Sequence, residues 1–312
     1  MSLKLNHLVL TALLTTVAVA RGQQAVSSIT QSRLFTNPSA PGTTAFDANG
    51  NALDNSAGTS SGDDSFGAQI ILKNQEPSKS LTVFGDVAGF YTTNVDLTPN
   101  RTRSDFFLAS NVGAAWRPMI SRGLFADVSA TSSIFRYDRA GELDFERITV
   151  GTGLTWLVPH TPEIVAFARY DFTELFDSDS NQLLQDHAFT MGGQRTFIFG
   201  RSHSLAAGIS GVLGLSTPRS QERDQAGIYA AYHLQITRSL DADLLYRYAA
   251  QFYNEDGRVD HNQTLSFVIG YYPIRWLRID ASISAARNDS NRSAFAYDVL
   301  NVGSGVRLNI RF

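Results

Sequence analysis

From residue 81 onward, large apolar side chains alternate with polar or small ones, and this two-residue period limits what the chain can fold into. The last segment shows it best. Between Leu300 and Phe312, six of seven alternate positions are apolar, whereas the positions between them carry only Asn, Gly and Arg. Such a period is typical of a β-strand with one apolar face. It recurs at 277–285, 240–248 and 164–172, so we predict an array of strands rather than helices.

The array divides into twelve segments bounded by clusters of turn-forming residues. An apolar face directed at lipid cannot leave backbone N–H and C=O groups unpaired, so the sheet is expected to close on itself. We therefore predict an all-β fold, a transmembrane antiparallel up-and-down β-barrel of about twelve strands. The predicted strands are 81–94, 104–117, 123–137, 143–157, 163–176, 185–199, 203–216, 224–237, 239–253, 260–273, 275–288 and 297–312.

The connections support this prediction independently, because short and long ones alternate along the chain. The connections at Arg238 and Ile274 are very short, whereas 95–103, 177–184 and 289–296 are longer and polar. Tight turns on one side and long loops on the other are typical of outer-membrane barrels, in which the turns face the periplasm.

Aromatic residues gather at both ends of the predicted strands, as expected for girdles at the two membrane interfaces. Trp116, Trp156 and Trp276 lie beside short turns. The long-loop ends carry Phe90, Tyr91, Phe106, Phe107, Phe135, Tyr137, Phe172, Phe252 and Tyr253.

The first eighty residues differ from the array in composition. Residues 1–20 contain Lys4, an apolar run from Leu8 to Ala20 and a small-residue ending, so we predict a secretory signal peptide. Residues 21–80 are rich in Ser, Gly, Asn and Asp, and we predict a flexible periplasmic lead or a plug of the lumen. Residues 81–312 form the predicted barrel.

Composition excludes several functions. The net charge is −3, so no strong positive field favours nucleic acid as a partner. The absence of Cys excludes disulfides, thiol nucleophiles and Cys-based metal sites. We expect no cofactor and no metal site.

The C-terminal run 303–312 resembles the sorting signal of Gram-negative outer-membrane β-barrel proteins, in which Gly is followed by alternating apolar residues and a terminal Phe. Gly305, Leu308, Ile310 and Phe312 match that pattern. The resemblance implies location in the outer membrane of a Gram-negative bacterium, contact with its lipid and lipopolysaccharide, and insertion by the β-barrel assembly machinery. Within this class the chain resembles porin-like barrels.

Alternate positions of a barrel wall face the lumen, and there the sequence carries charges of both signs. We predict a polar lining formed by Asp127, Arg169, Asp171, Asp241, Asp243, Arg247, Arg278, Asp280 and Arg307. Two interpretations stay open: a channel for small solutes, or a non-conducting structural or surface-binding barrel with a plugged lumen. Asp241 and Asp243 either bind a cation or pair with Arg247 or Arg278.

An enzyme is not expected. No nucleophile elbow, zinc-binding helix motif or phosphate loop appears in the sequence. A lipid hydrolase needs an acid–histidine pair, and Asp186 followed by His187 is the nearest arrangement.

Overall fold

The computed structural model describes residues 80–100, 102–161, 164–199, 202–255 and 257–312, together with the backbone of two dipeptides. These dipeptides, Ala45–Phe46 and Ala52–Leu53, pair with each other as an antiparallel ribbon. The predicted signal peptide, 1–20, and most of the predicted lead, 21–80, lie outside the described residues.

The described chain forms twelve long antiparallel strands, as the sequence predicts. A short segment, Met119–Ser121, pairs with the start of the third strand. The strands are β1 (Leu81–Thr92), β2 (Asp105–Trp116), β3 (Leu124–Tyr137), β4 (Phe145–Leu157), β5 (Ile164–Asp177), β6 (Gln182–Phe199), β7 (His203–Thr217), β8 (Arg223–Thr237), β9 (Leu240–Tyr253), β10 (Val259–Ile274), β11 (Leu277–Ser290) and β12 (Tyr297–Arg311).

Each strand pairs with its neighbours in sequence, and β12 pairs with β1, so the sheet closes into an up-and-down barrel. At the seam, the Phe312 N–H donates to the Leu81 carbonyl oxygen at 2.9 Å. Closure leaves no unpaired strand edge, which a wall in contact with lipid requires.

One connection is much tighter than the sequence indicates. We predicted a loop over 177–184, but β6 begins at Gln182. The Asp177 carboxylate accepts hydrogen bonds from the backbone N–H groups of Asp179 and Asn181, at 2.9 and 2.7 Å. A side chain that satisfies turn N–H groups lets the hairpin close within a few residues.

The alternating apolar face points outward along every strand. Val112, Ile209 and Leu215 are 60–64% exposed, an arrangement that suits hydrocarbon rather than water. Trp116, Trp156 and Trp276 are also exposed and lie at the turn side, as a girdle requires. Within the described ranges, no helix has the length and apolar character needed to cross a membrane.

The girdle at the loop side is only partly as predicted. Tyr91, Phe106 and Phe252 face outward, whereas Phe107 and Phe135 are fully buried inside the barrel. The clustering of aromatic residues at strand ends therefore predicts where the membrane interface lies. The alternation of side chains along each strand decides which rings face lipid.

Candidate functional site

The lumen contains a cavity of about 640 Å³, within the size range of ligand pockets. Hydroxyl, amide and charged side chains form much of its wall. The charged lining residues are Asp86, Asp96, Asp171, Asp186, Asp260, Asp280, Arg147, Arg169, Arg223, Arg247, Arg258 and Arg307.

The nine predicted lining residues divide into two groups by their surroundings. Five contact the cavity: Arg169, Asp171, Arg247, Asp280 and Arg307. The other four also point inward, but they are packed among other side chains nearer the turn side: Asp127, Asp241, Asp243 and Arg278.

Arg278 organises the turn-side group. Its guanidinium donates to Asp241 at 3.0 Å and to Asp243 at 3.1 Å, and the second Asp243 oxygen lies 2.7 Å from His233 Nδ1. Three potential metal ligands thus lie close together. Arg278 already supplies the positive charge that both carboxylates need, so the arrangement is a salt-bridge network rather than a cation site.

Asp127, on β3, forms a second network. At least three strands of the wall separate it from the network of Arg278. It accepts hydrogen bonds from Arg117 and, at 2.6 Å, from the Thr155 hydroxyl. Its carboxylate is satisfied within the wall and is not directed at the cavity.

Large inward rings lie along the wall because glycines face them across the strands. Gly192 is the direct partner of Phe167, and Gly208 is the direct partner of Tyr229. A Cβ atom at Gly208 would lie 2.5 Å from the Tyr229 hydroxyl oxygen, so the ring occupies the space that a side chain would need. A glycine in a strand allows such a close approach between neighbouring strands.

At the loop side, the connection 93–104 folds into the barrel mouth. Val95 is fully buried against a row of inward rings that includes Phe107 and Phe135. Leu97 packs on Tyr297 and Val299 of β12. The loop therefore narrows the mouth, and Asp96 and Leu97 of this loop line the cavity.

A salt bridge between two loops holds this connection. Arg103 donates to Asp96 at 2.9 Å and to Glu142 at 2.6 Å. Hydrogen bonds to Asp96 and Glu142 raise the pKa of Arg103. Partial burial raises the pKa of Glu142, but the hydrogen bond from Arg103 and the other favourable contacts outweigh burial, so this pKa is lowered overall.

The cavity arginines differ in how they are neutralised. Arg169 pairs with Asp171 at 2.7 Å. Arg258 pairs with Asp260 at 2.6 Å, and its guanidinium carbon lies 3.7 Å from the ring centroids of both Tyr253 and Phe295.

Arg223 and Arg247, on the adjacent strands β8 and β9, form no ion pair with a carboxylate of the described chain. Arg223 donates instead to the Gln251 side-chain oxygen at 2.7 Å.

Sequence reasoning missed three cavity arginines: Arg147, Arg223 and Arg258. The alternation along β8 could have predicted that Arg223 faces the lumen, because Arg223 and Tyr229 are an even number of residues apart and face the same side. Arg258 lies in a connection, where no periodicity indicates its direction.

The hydrolase hypothesis requires an acid–histidine pair, and the strand geometry separates it. Asp186 faces the cavity and accepts a hydrogen bond from Ser216 at 2.5 Å. His187 faces the outer surface, where its Nδ1 lies 2.7 Å from the Tyr170 hydroxyl. Neighbours along a strand point to opposite faces, so these two side chains cannot act together.

The closed barrel, its apolar outer belt and its polar lumen define the class of fold: the chain has the fold of an outer-membrane β-barrel protein. Its fold is similar to that of an outer-membrane channel from Pseudomonas putida F1, with a TM-score of 0.55 at 5% identity over 78% of this chain and 100% of the other.

Two further solved structures are less similar. A bacterial polysaccharide outer-membrane secretin gives a TM-score of 0.46 at 12% identity, covering 76% of this chain and 100% of the other. The KdgM porin in complex with disordered oligogalacturonate gives 0.41 at 7% identity, covering 73% and 98%. No protein-family model and no curated protein sequence matches the chain.

Proposed function

We propose that the barrel is a passive channel for small polar solutes. The observation that carries the proposal is the 640 Å³ cavity inside the closed wall, lined by charges of both signs and by hydroxyl and amide groups. A purely structural barrel needs no such cavity, because apolar side chains fill a small lumen without the cost of placing charges there.

The wall glycines support the same proposal. Because Phe167 and Tyr229 lie over Gly192 and Gly208, their rings do not project toward the barrel axis from those positions. On the outer side, the lumen is then narrowed at its mouth, by the loop 93–104, rather than at its middle.

The turn-side packing favours the alternative, a non-conducting barrel. Asp241 is 2% exposed and Arg278 is 4% exposed, so little water reaches this level of the wall near them. Residues 21–80 add a second way to close the lumen. If they act as a plug, deleting them raises the conductance of the refolded protein.

Planar-bilayer conductance of the refolded mature chain tests the proposal. Ser284 faces the cavity and Ala285, its neighbour on β11, faces outward. We expect Ser284→Trp to reduce conductance strongly, because the indole enters the lumen, whereas Ala285→Trp leaves it unchanged. The absence of conductance in the wild-type chain, with or without residues 21–80, would overturn the proposal.

The chain is not proposed to be an enzyme. The neighbours of similar fold are mostly channels and porins by name, which agrees with this expectation. A hydrolysis assay on outer-membrane lipid, with His187→Ala as control, tests it directly.

A further inference from the structure

Arg223 and Arg247 form an uncompensated positive region on one side of the lumen. Both line the cavity, from adjacent strands β8 and β9, at levels six residues apart in the register, because Arg223 pairs with Tyr253 and Arg247 with Tyr229. The neighbouring charge that acts on Arg247 is that of Arg223, which is also positive. Two like charges in a partly buried wall repel each other, and water in a confined cavity screens them less than bulk solvent does.

Apart from the ion pair of Arg258 and Asp260, the groups around these arginines are polar but neutral. The inward residues of the same wall section are Gln225, Gln251, Asn262 and Thr264. They supply hydrogen-bond donors and acceptors without a competing carboxylate. Asp260 is in register with Gln251 on the next strand, and its carboxylate is already paired with Arg258.

Arg223 is held in position, whereas Arg247 is available to a ligand. Arg223 donates to Gln251 at 2.7 Å and to the Tyr253 hydroxyl at 3.2 Å through one guanidinium nitrogen. Arg247 donates no hydrogen bond to any residue of the described chain. A guanidinium presents parallel N–H donors that match the two oxygens of a carboxylate.

The geometry points to a binding site for small carboxylate anions at Arg247, on the β8–β9 side of the lumen, where Arg223 adds positive charge farther along the wall. The inference rests on the proposed channel in one respect only: a bound solute is taken to be in transit. Binding itself requires the cavity but not conduction, so the two ideas fail separately.

Equilibrium binding is the first test, because it does not depend on conduction. The unfolding temperature of the refolded mature chain in detergent is followed against sodium acetate, with ionic strength held constant by sodium chloride. A ligand that binds only the folded state raises this temperature with concentration. We expect acetate to do so in the wild type and in Arg287→Gln, which removes the same charge from the outer surface.

We expect the affinity for acetate to fall about tenfold or more in Arg247→Gln and in the Arg223→Gln/Arg247→Gln variant, because charge-assisted hydrogen bonds are lost. Arg247→Lys keeps the charge but loses the paired donors, so it should bind acetate less tightly than the wild type. An equal response to sodium sulfate would show a general anion site and overturn the carboxylate assignment. The absence of any acetate response, or an unchanged response in the double variant, would overturn the site.

Ion selectivity is the second test. Reversal potentials of the wild type in a potassium chloride gradient should favour chloride, and the double variant should lose that preference while Arg287→Gln keeps it. A conducting wild type with the same reversal potential as the double variant contradicts the inference but leaves the channel intact. A non-conducting wild type that still binds acetate contradicts the channel but leaves the site intact.

Discussion

Whether a large inward side chain blocks the lumen or lies along its wall depends on the residue directly opposite on the next strand. Tyr229 lies over Gly208 and Phe167 over Gly192. Without a Cβ atom, the glycine leaves a shallow space that the ring fills, which packs the wall and keeps the axis clear.

We expect Gly208→Ala to destabilise the barrel by about 1–3 kcal/mol through overpacking. The added methyl group would lie 2.5 Å from the Tyr229 hydroxyl oxygen and 2.7 Å from the Gly193 carbonyl oxygen, so the ring or the backbone must move. Denaturant unfolding of the refolded protein measures the change.

Gly211→Ala is the matched control on the same strand, because the nearest atom to its added methyl group is 3.9 Å away. It should leave the unfolding midpoint nearly unchanged. Equal destabilisation by the two substitutions would mean that the added methyl group acts in the same way at any position of the strand, and that the ring contact is not the cause.

At the scale of elements, the connection 93–104 is the one that shapes the mouth. Its apolar residues Val95 and Leu97 are buried in the barrel, while Arg103 ties it to Glu142 in the next outer connection. A loop held by both packing and charge narrows the entrance without adding a strand or helix.

We predict that acid weakens the salt bridge between Arg103 and Glu142. The pKa of Glu142 is lowered in the folded protein, so its contribution to holding the loop is complete above the ordinary glutamate pKa and is lost as pH falls through the lowered value. The protection of the backbone N–H groups of 93–100 and 102–104, measured against the intrinsic exchange rate at each pH, should therefore fall below about pH 4.

Glu142→Gln should show the lower protection already at neutral pH and lose this acid step. Asp138→Asn is the control, since Asp138 lies in the same outer connection and does not contact Arg103. An acid step that persists unchanged in Glu142→Gln would assign the titration to another group.

For the whole molecule, the C-terminal strand matters in two ways. It carries the residues that resemble a sorting signal, and it closes the barrel. Of the residues of the resemblance, Leu308, Ile310 and Phe312 face outward, whereas Gly305 lies on the inward face and lines the cavity. The backbone of Phe312 also closes the barrel seam against Leu81.

We predict that Phe312→Ala greatly reduces the folded protein recovered from the outer membrane of a Gram-negative host, because we propose that the assembly machinery implied by the resemblance reads the terminal aromatic side chain. The variant should still refold in detergent with a stability within about 1 kcal/mol of the wild type, since the seam uses backbone atoms and the exposed ring packs little. Failure to refold would make the ring structural, and normal assembly in the host would contradict the proposed recognition.

Much of the fold was predictable because it depends on patterns that are local in sequence. The alternation of 297–312 and of the other segments set the number of strands, and the need to pair every backbone group in lipid required closure. The face of Arg169, Arg247 and Arg307 followed from the same period, since a strand residue has only two directions.

The tertiary structure alone decided how the inward residues divide between wall and cavity, because that division depends on partners distant in sequence. Arg278 and Arg247 look alike in the sequence, yet the first pairs with Asp241 and Asp243, and the second has no carboxylate partner in the described chain. A two-residue period fixes the side of the sheet to which a charge points. Strand register and barrel closure determine which other charged side chain it contacts. Whether a charge in the lumen is neutralised depends on that contact.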